Sequence, residues 1–195
     1  MKEKLTLRNV LIWGAAFLGL LCFFLSFGAK ASIKFDAGQG HVGMYIFDGA
    51  LWGSKTGAIY LDGVPQGSGP IGATVKPAAL PLIGLILILV SAISAVLVSL
   101  LVKNEKIQKI VMIAVGVLSI VGGVFVFFNG ENALRALCYL DDGGLDHIDA
   151  IRAELKEIGA KLQPRALAIV IGSGAILAGL AFGVSQFLPN KKLAK

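Results

Sequence analysis

Charged side chains are missing from four long stretches of this 195-residue sequence. The stretches are residues 10–29, 78–102, 110–128 and 166–188, and none of them contains Asp, Glu, Lys, Arg or His. A helix on the surface of a soluble protein would carry a polar face at a period of about 3.6 residues, and these stretches have none. This excludes an ordinary soluble helical domain. Because about 20 apolar residues cross the hydrocarbon core of a bilayer as a helix, each stretch predicts a membrane span.

The same lack of charge limits the possible functions. Ion-coupled transporters, proton pumps and voltage sensors need ionisable groups inside the membrane. The polar residues in the four stretches are serines and one glutamine, and a serine can bond to the backbone of its own helix. We therefore predict a protein that is not an enzyme and not a transporter acting alone. We expect no catalytic residue, no cofactor and no metal site.

Cysteine is also scarce, with only Cys22 and Cys138 in the chain. Cys22 lies within the first span and Cys138 in the second long loop, so a disulfide between them would pull one residue away from its depth. We predict two free thiols. The sequence also has no N-x-S/T glycosylation site. Together these absences predict a bacterial cytoplasmic membrane and argue against an animal cell surface.

Basic residues are unevenly distributed between the segments that connect the spans. Residues 1–9, 103–109 and 189–195 together hold nine basic and two acidic residues, whereas residues 30–77 and 129–165 hold nine basic and ten acidic residues. An excess of Lys and Arg in short loops marks the cytoplasmic side. We predict a multi-pass plasma-membrane protein with both termini cytoplasmic and both long loops outside. These lysines are explained as topology signals, so no nucleic-acid partner is expected.

The first span has an alternative interpretation. Ala29-Lys30-Ala31 has the A-x-A form of a signal-peptidase site and follows a basic start. The apolar core of a signal peptide is usually about 7–15 residues long, which is shorter than this stretch. We expect a retained helix, and cleavage of this segment stays the alternative.

Small residues recur at four-residue spacing on three of the spans. Lipid offers no hydrophobic force between helices, so small residues that let backbones approach are the expected contact points. We interpret them as packing positions of a compact bundle, and a homodimer seam along the fourth span is the alternative. The positions are Ala15, Gly19, Ser119, Gly123, Ala175, Gly179 and Gly183.

The first long loop, residues 30–77, contains ten glycines and short segments rich in β-branched and aromatic residues. Asp48-Gly49 and Asp62-Gly63 are typical of tight hairpin turns. We predict an antiparallel sheet of three to five strands, in which prolines keep the last part from being a central strand. Residues 38–43 match the G-x-G-x-x-G fingerprint, but a strand pattern follows, so no nucleotide site is expected. The predicted strands are residues 32–35, 42–47, 50–52, 58–61 and 71–75.

The second long loop has apolar residues at helical spacing from Leu145 to Leu162, which predicts an amphipathic helix. A shorter helix, Asn132–Leu140, is expected before it. The apolar stripe must be buried, either on the sheet or the mouth of the bundle, or by docking a partner protein. The acidic residues around Asp146 suit a helix start better than a cation site.

These predictions combine into an all-α transmembrane four-helix bundle with a small extracellular antiparallel β-sheet and an extracellular amphipathic helix. The hexapeptide Phe47-Asp48-Gly49-Ala50-Leu51-Trp52, in the first outer loop of a four-span chain, resembles the claudin and peripheral-myelin-protein group. The sequence departs from that family by Ala50 and by lacking its pair of disulfide cysteines. The resemblance implies a claudin-like architecture and a role in membrane contact or organisation.

The predicted function is a claudin-like structural or protein-interaction role at the cell surface. Tyr45, Leu51 and Trp52 are the candidate interaction residues, as the core or the contact edge of the outer layer. The expected partners are the lipid bilayer and another membrane protein or a second copy of the chain. The alternative is an accessory subunit of a membrane transporter or secretion complex, which would explain a bundle without an ion path.

Overall fold

The fold, seen in a computed structural model, is described for residues 6–48, 50–53, 56–70, 75–140 and 144–188. It is mostly helical with one antiparallel sheet. In chain order the helices are α1 (Leu7–Leu25), α2 (Ala79–Leu101), α3 (Glu105–Val126), α4 (Gly130–Leu140), α5 (Ile148–Glu157) and α6 (Ala166–Ser185). The strands are β1 (Ala31–Gly38), β2 (His41–Phe47), β3 (Thr56–Leu61), β4 (Val64–Pro70) and β5 (Lys161–Pro164).

Four helices are long and apolar enough to cross a membrane, as predicted. They are α1, α2, α6 and a helical stretch in which α3 continues through a 3-10 turn into α4. Large apolar side chains point outward along them; Phe17 and Ile110 are each 69 % exposed and Leu177 is 60 % exposed. A water-soluble protein rarely exposes so much contiguous apolar surface. This surface indicates a membrane-embedded protein.

The chain divides into two compact units. The first is helical and consists of Met1–Phe24, Ile83–Val124 and Ile171–Lys195. Its core is an apolar cluster to which all four long helices contribute, and Ile12, Met112 and Phe182 in it are fully buried. The second unit consists of Leu25–Leu82 and Phe125–Val170 and contains the sheet.

Close backbone approach holds the helical unit together at several of the small residues. A Cβ added to Gly179 would lie 2.5 Å from the carbonyl oxygen of Gly116, and one added to Gly123 would lie 2.5 Å from that of Gly172. Between these two points, Ser119 Oγ donates a hydrogen bond to the Ala175 carbonyl oxygen at 2.8 Å. The small residues of the fourth span, Ala175, Gly179 and Gly183, are called the fourth-span ladder; its Ala175 and Gly179 contact α3 of the same chain.

The other predicted packing positions differ in their surroundings. Ala15 is buried in the core cluster, and a Cβ added to Gly19 would lie 3.1 Å from Cβ of Ala92 on α2. A Cβ at Gly183 would meet nothing within 4 Å among the described residues. Unlike Gly179, Gly183 therefore has room for a larger side chain.

The sheet of the second unit is antiparallel throughout, in the order β4-β3-β2-β1-β5. Asp62-Gly63 forms the tight turn between β3 and β4 with φ values of 48° and 80°, as its sequence predicts. Gly49 of the other predicted turn lies outside the described residues. The turn between β1 and β2 is at Gln39-Gly40, with φ values of 53° and 82°. β4, which contains the prolines, is an edge strand.

Two sequence predictions about this unit are wrong in detail. Residues 50–52 form a turn and not a strand. The strand predicted at residues 71–75 stays a prediction, because residues 71–74 lie outside the described part of the chain. The amphipathic helix does not continue to Leu162: α5 ends at Glu157, and Leu162 belongs to β5. Gly159, with φ of 66°, ends the helix in a Schellman motif, in which the Ala160 N–H donates to the Leu155 carbonyl at 2.7 Å.

α4 packs on one face of the sheet, against β1 and β2, and α5 packs on α4. Ile33, Phe47, Ala133 and Ala136 form a fully buried cluster between sheet and α4. Ile151 of α5 is buried against Leu134 and Cys138 of α4. The apolar stripe of α5 is therefore mainly used within this unit.

A pair of buried asparagines joins the segments that enter and leave the long helices. Asn129 Nδ2 donates to the Lys30 carbonyl at 3.0 Å, and Asn132 Nδ2 donates to Asn129 Oδ1 at 2.8 Å. Asn132 Oδ1 accepts from the Ala78 N–H at 2.5 Å. The Lys30 carbonyl also accepts from the Arg165 N–H at 3.3 Å. These bonds satisfy buried polar groups that would otherwise be costly to bury.

Candidate interaction surface

The three candidate interaction residues do not form one exposed patch. Leu51 is fully buried. Tyr45 lies on the sheet face that α4 covers and stacks between Phe35 and Phe47, at ring-centroid distances of 5.3 and 6.4 Å. Trp52 is half-buried beside the turn that follows α1. Leu51 is therefore in the interior, whereas Tyr45 and Trp52 are partly covered by their neighbours. A role of these three residues in contacting a partner stays a prediction.

Trp52 contacts the 3-10 turn Ser26–Gly28 through both its ring and its indole N–H. Its indole ring stacks on Phe27 with a centroid distance of 5.0 Å and an interplanar angle of 8°. Its Nε1 donates to the buried Ser26 Oγ at 2.7 Å. A buried indole N–H usually finds such an acceptor. Trp52 thus attaches the segment after β2 to the end of α1.

The opposite face of the sheet is not covered by α4. Because side chains alternate along a strand, the cross-strand neighbours Lys34, Met44 and Tyr60 point to this face, while Ile33 and Tyr45 point to α4. They line a recess of about 590 Å³. We call this recess the open-face recess; its lining residues are Lys34, Val42, Met44, Ile46, Tyr60, Asp62, Gly63 and Arg165.

The open-face recess combines an apolar floor with a basic margin. Arg165 Nη1 lies 3.2 Å from the Met44 sulfur, and Lys34 is exposed. The carboxylate of Asp62 is already engaged: it accepts from the Val42 N–H at 2.7 Å and pairs with His41 Nδ1. The hydrogen bond from the Val42 N–H, followed by that from His41, holds the pKa of Asp62 below its ordinary value. The two cations are therefore the charges that remain available to an incoming group.

A second, smaller groove lies between α4 and α5. It has a volume of about 250 Å³ and is lined by Leu137, Ile151, Glu154, Leu155 and Ile158. Ile158 at its edge is 52 % exposed. The groove is the part of the α5 stripe that α4 leaves uncovered.

Cysteines and clustered metal-binding side chains are the groups that redox or metal chemistry would need. Cys22 and Cys138 are both buried and not disulfide-bonded. Among the described residues, no group of three or more His, Cys, Asp and Glu side chains is placed to hold a metal ion. Asp141 and Asp142, which belong to the acidic segment of the second loop, lie outside the described residues.

Serines within the spans bond to backbone carbonyls. Ser91 Oγ donates to the Leu87 carbonyl at 2.7 Å, and Ser99 Oγ donates to the Val96 carbonyl at 2.8 Å. Ser119 uses the Ala175 carbonyl instead, so its bond joins α3 to α6. These hydroxyls therefore bond within a helix or between two helices of the unit.

The described residues indicate a class: a membrane-embedded protein with four apolar helices of span length and a second unit that contains an antiparallel sheet and short helices. No protein-family model matches the chain. No curated protein is significantly similar to it in sequence.

Proposed function

We propose that this chain is a four-span plasma-membrane protein with a claudin-like structural or protein-interaction role. Both termini are cytoplasmic and the sheet layer lies outside. The open-face recess binds a neighbouring protein. The membrane is that of a bacterium, as the absence of glycosylation sites and disulfides suggests.

Contacts between distant segments support the four-span topology. β5, from the second long loop, pairs with β1 of the first loop from Ala31↔Pro164 to Lys34↔Lys161. Two loops that share a sheet must lie on the same side of a membrane. At the other ends of the helices, the Arg8 side chain bonds to Gln108 and Gln186, which supports a common side for the N-terminus, the short α2–α3 loop and the C-terminus. The basic residues assign that second side to the cytoplasm.

The observation that carries the interaction role is the sheet face opposite α4. One face of the sheet is covered by α4, whereas the other presents Met44, Ile46 and Tyr60 in a recess of about 590 Å³. Protein interfaces typically bury aromatic and Met side chains at their centre and keep a polar rim. With Lys34 and Arg165 at the margin, the recess suits an apolar side chain on a segment that also carries acidic groups.

Site-specific photocross-linking in the native membrane tests this role. A photoreactive phenylalanine analogue at Tyr60 should cross-link to a discrete neighbouring protein. Ile59, the adjacent residue of β3, points to the opposite face and is 42 % exposed, so it is the matched control. If labelling followed exposure alone, position 59 would cross-link at least as well as the half-buried position 60. Equal cross-linking at both positions, or no cross-linking at position 60, would refute the open-face recess as the binding site.

An accessory subunit of a membrane transporter or secretion complex is the second candidate. The hydroxyls of Ser91, Ser99 and Ser119 favour it, because each bonds to a helix carbonyl, as expected where a partner protein provides the transport path. Purification in mild detergent separates the two candidates. A transporter or secretion component recovered in fixed stoichiometry supports the accessory role; self-association or a non-transport partner supports the claudin-like role.

A further inference from the structure

The helical unit buries one arginine at the end where α1 and α3 begin and α6 ends. Arg8 is 9 % exposed, and its Nη2 donates to Oε1 of Gln108 at 3.0 Å and of Gln186 at 2.6 Å. Its Nε is buried, and no described residue accepts its hydrogen bond. Nor does a carboxylate of the described residues form an ion pair with it.

Among the described residues, the guanidinium charge of Arg8 has no anionic partner. A guanidinium stays protonated in proteins, and both glutamines that contact it are neutral. Burying a cation without an anionic partner is costly, because the lost hydration is not replaced by an opposite charge. The arrangement is therefore suited to an anion supplied from outside the chain.

Arg8 lines a recess of about 300 Å³, which we call the basic recess. Pockets that bind small molecules have volumes of about 300–1,000 Å³, so the basic recess lies at the lower end of that range. Two lysines and one carboxylate share the lining, so cations outnumber anions there. Lys109 Nζ also lies 4.7 Å from the centroid of the Phe187 ring, a contact that holds the ammonium group near this end of α6. The lining residues are Arg8, Glu105, Lys106, Lys109, Gln186 and Leu188.

Side chains, and not helix termini, supply the donors for such an anion. The first turn of α3 is capped by Asn104, whose Oδ1 accepts from the N–H groups of Lys106 at 3.0 Å and Ile107 at 3.3 Å. In α1 the Asn9 N–H donates to Thr6 Oγ1 at 3.2 Å. With these caps in place, Arg8, Lys106 and Lys109 are the donors that face the basic recess.

The geometry points to a binding site for a phosphate-bearing anion in the basic recess. The Arg8 guanidinium supplies planar hydrogen-bond donors, held in orientation by Gln108 and Gln186, and the two lysines supply mobile charge. The phosphate belongs either to the headgroup of an anionic lipid or to a free phosphate. The lipid source rests on the proposed topology, which puts this recess at the cytoplasmic surface of the bilayer.

Binding to the detergent-purified full chain tests the site by native mass spectrometry. The probes are short-chain phosphatidylglycerol, phosphatidylcholine and inorganic phosphate. We expect Lys109→Gln to weaken binding of the anionic probe by about tenfold or more, as for loss of a charge-assisted hydrogen bond. Lys103→Gln removes the same charge from the loop just before α3, but Lys103 does not line the recess, so this variant should leave binding unchanged. Arg8→Gln should weaken binding further, with folding checked by circular dichroism.

The probes also distinguish the two sources of phosphate. Binding of phosphatidylglycerol without competition from inorganic phosphate identifies a lipid site; saturable binding of inorganic phosphate that displaces the lipid identifies a free-anion site. Equal losses for Lys109→Gln and Lys103→Gln would show diffuse attraction by a basic surface and would overturn the proposal. So would unchanged anion binding in Lys109→Gln. Neither result would bear on cross-linking at Tyr60, so the two proposals fail independently.

Discussion

Gly179→Ala tests whether the fourth-span ladder packs against α3 within one chain. The new Cβ would lie 2.5 Å from the Gly116 carbonyl oxygen and 3.1 Å from the Ile120 N–H nitrogen. Both are backbone atoms of a rigid helix, so α3 and α6 must separate. Overpacking of this kind costs about 1–3 kcal/mol of unfolding free energy.

Gly183→Ala is the matched control, one helical turn further along α6. Nothing described lies within 4 Å of its added Cβ, so no helix has to move. Replacing an interior helical glycine by alanine gains up to about 1 kcal/mol where the site is open. We therefore expect Gly183→Ala to be neutral or slightly stabilising, and the two variants to differ by about 2 kcal/mol.

The assay is equilibrium unfolding in mixed detergent micelles, followed by circular dichroism, with the oligomeric mass measured by light scattering. Loss of stability in Gly179→Ala at unchanged mass supports the intramolecular contact. If the two variants unfold alike, the close approach of α3 and α6 is refuted. A change of mass without a change of stability would instead support the homodimer seam.

Three further predictions concern the second unit. Asn132→Ala leaves the Ala78 N–H and Asn129 Oδ1 without their partner and should cost about 2–4 kcal/mol of unfolding free energy. Gln66→Ala on the exposed edge strand is the control and should stay within about 0.5 kcal/mol. Stability close to wild type for Asn132→Ala would contradict a stabilising role of the buried asparagine pair. The lowered pKa of Asp62 means that its contribution to stability is complete above the ordinary value of 3.8 and is lost as the pH falls through the lowered value. The protection of β2 amides, measured relative to their intrinsic exchange rates, should therefore fall in acid for wild type. Asp62→Asn should lack this response. Trp52→Phe keeps the stacking but leaves the buried Ser26 hydroxyl without the indole donor, so it should cost about 1 kcal/mol in thermal unfolding, and no measurable cost would show that the bond does not stabilise the fold.

The long helices were predictable because lipid-facing composition is a local property of the sequence. An uninterrupted apolar stretch identifies a span without knowledge of its neighbours. The Asp62-Gly63 turn was predictable for the same reason, since both residue types tolerate a positive φ. The turn at Gln39-Gly40 was not, because a left-handed Gln has no comparable signature.

What the sequence did not reveal depends on residues far apart in the chain. β5 pairs with β1, whose residues are more than a hundred positions away, and its Leu162 continued the helical spacing of α5 by coincidence. The signal that could have corrected this was Gly159, a typical helix C-terminal residue. The sequence identifies Arg8 only as one of several topology charges. Its burial could not be predicted, because it depends on Gln108 and Gln186 from two other helices.

The pairing of β5 with β1 has a consequence for biosynthesis. During synthesis β1 is made early, yet the edge that pairs with β5 stays uncovered until residues 161–164 have been made and have docked. An uncovered strand edge is a template for pairing with other chains. The opposite edge carries Pro65 and Pro70 on β4, which cannot donate to a new ladder. The nascent protein is therefore more vulnerable to wrong association at the β1 edge than at the proline-containing β4 edge, and pairing with β5 removes that exposed edge.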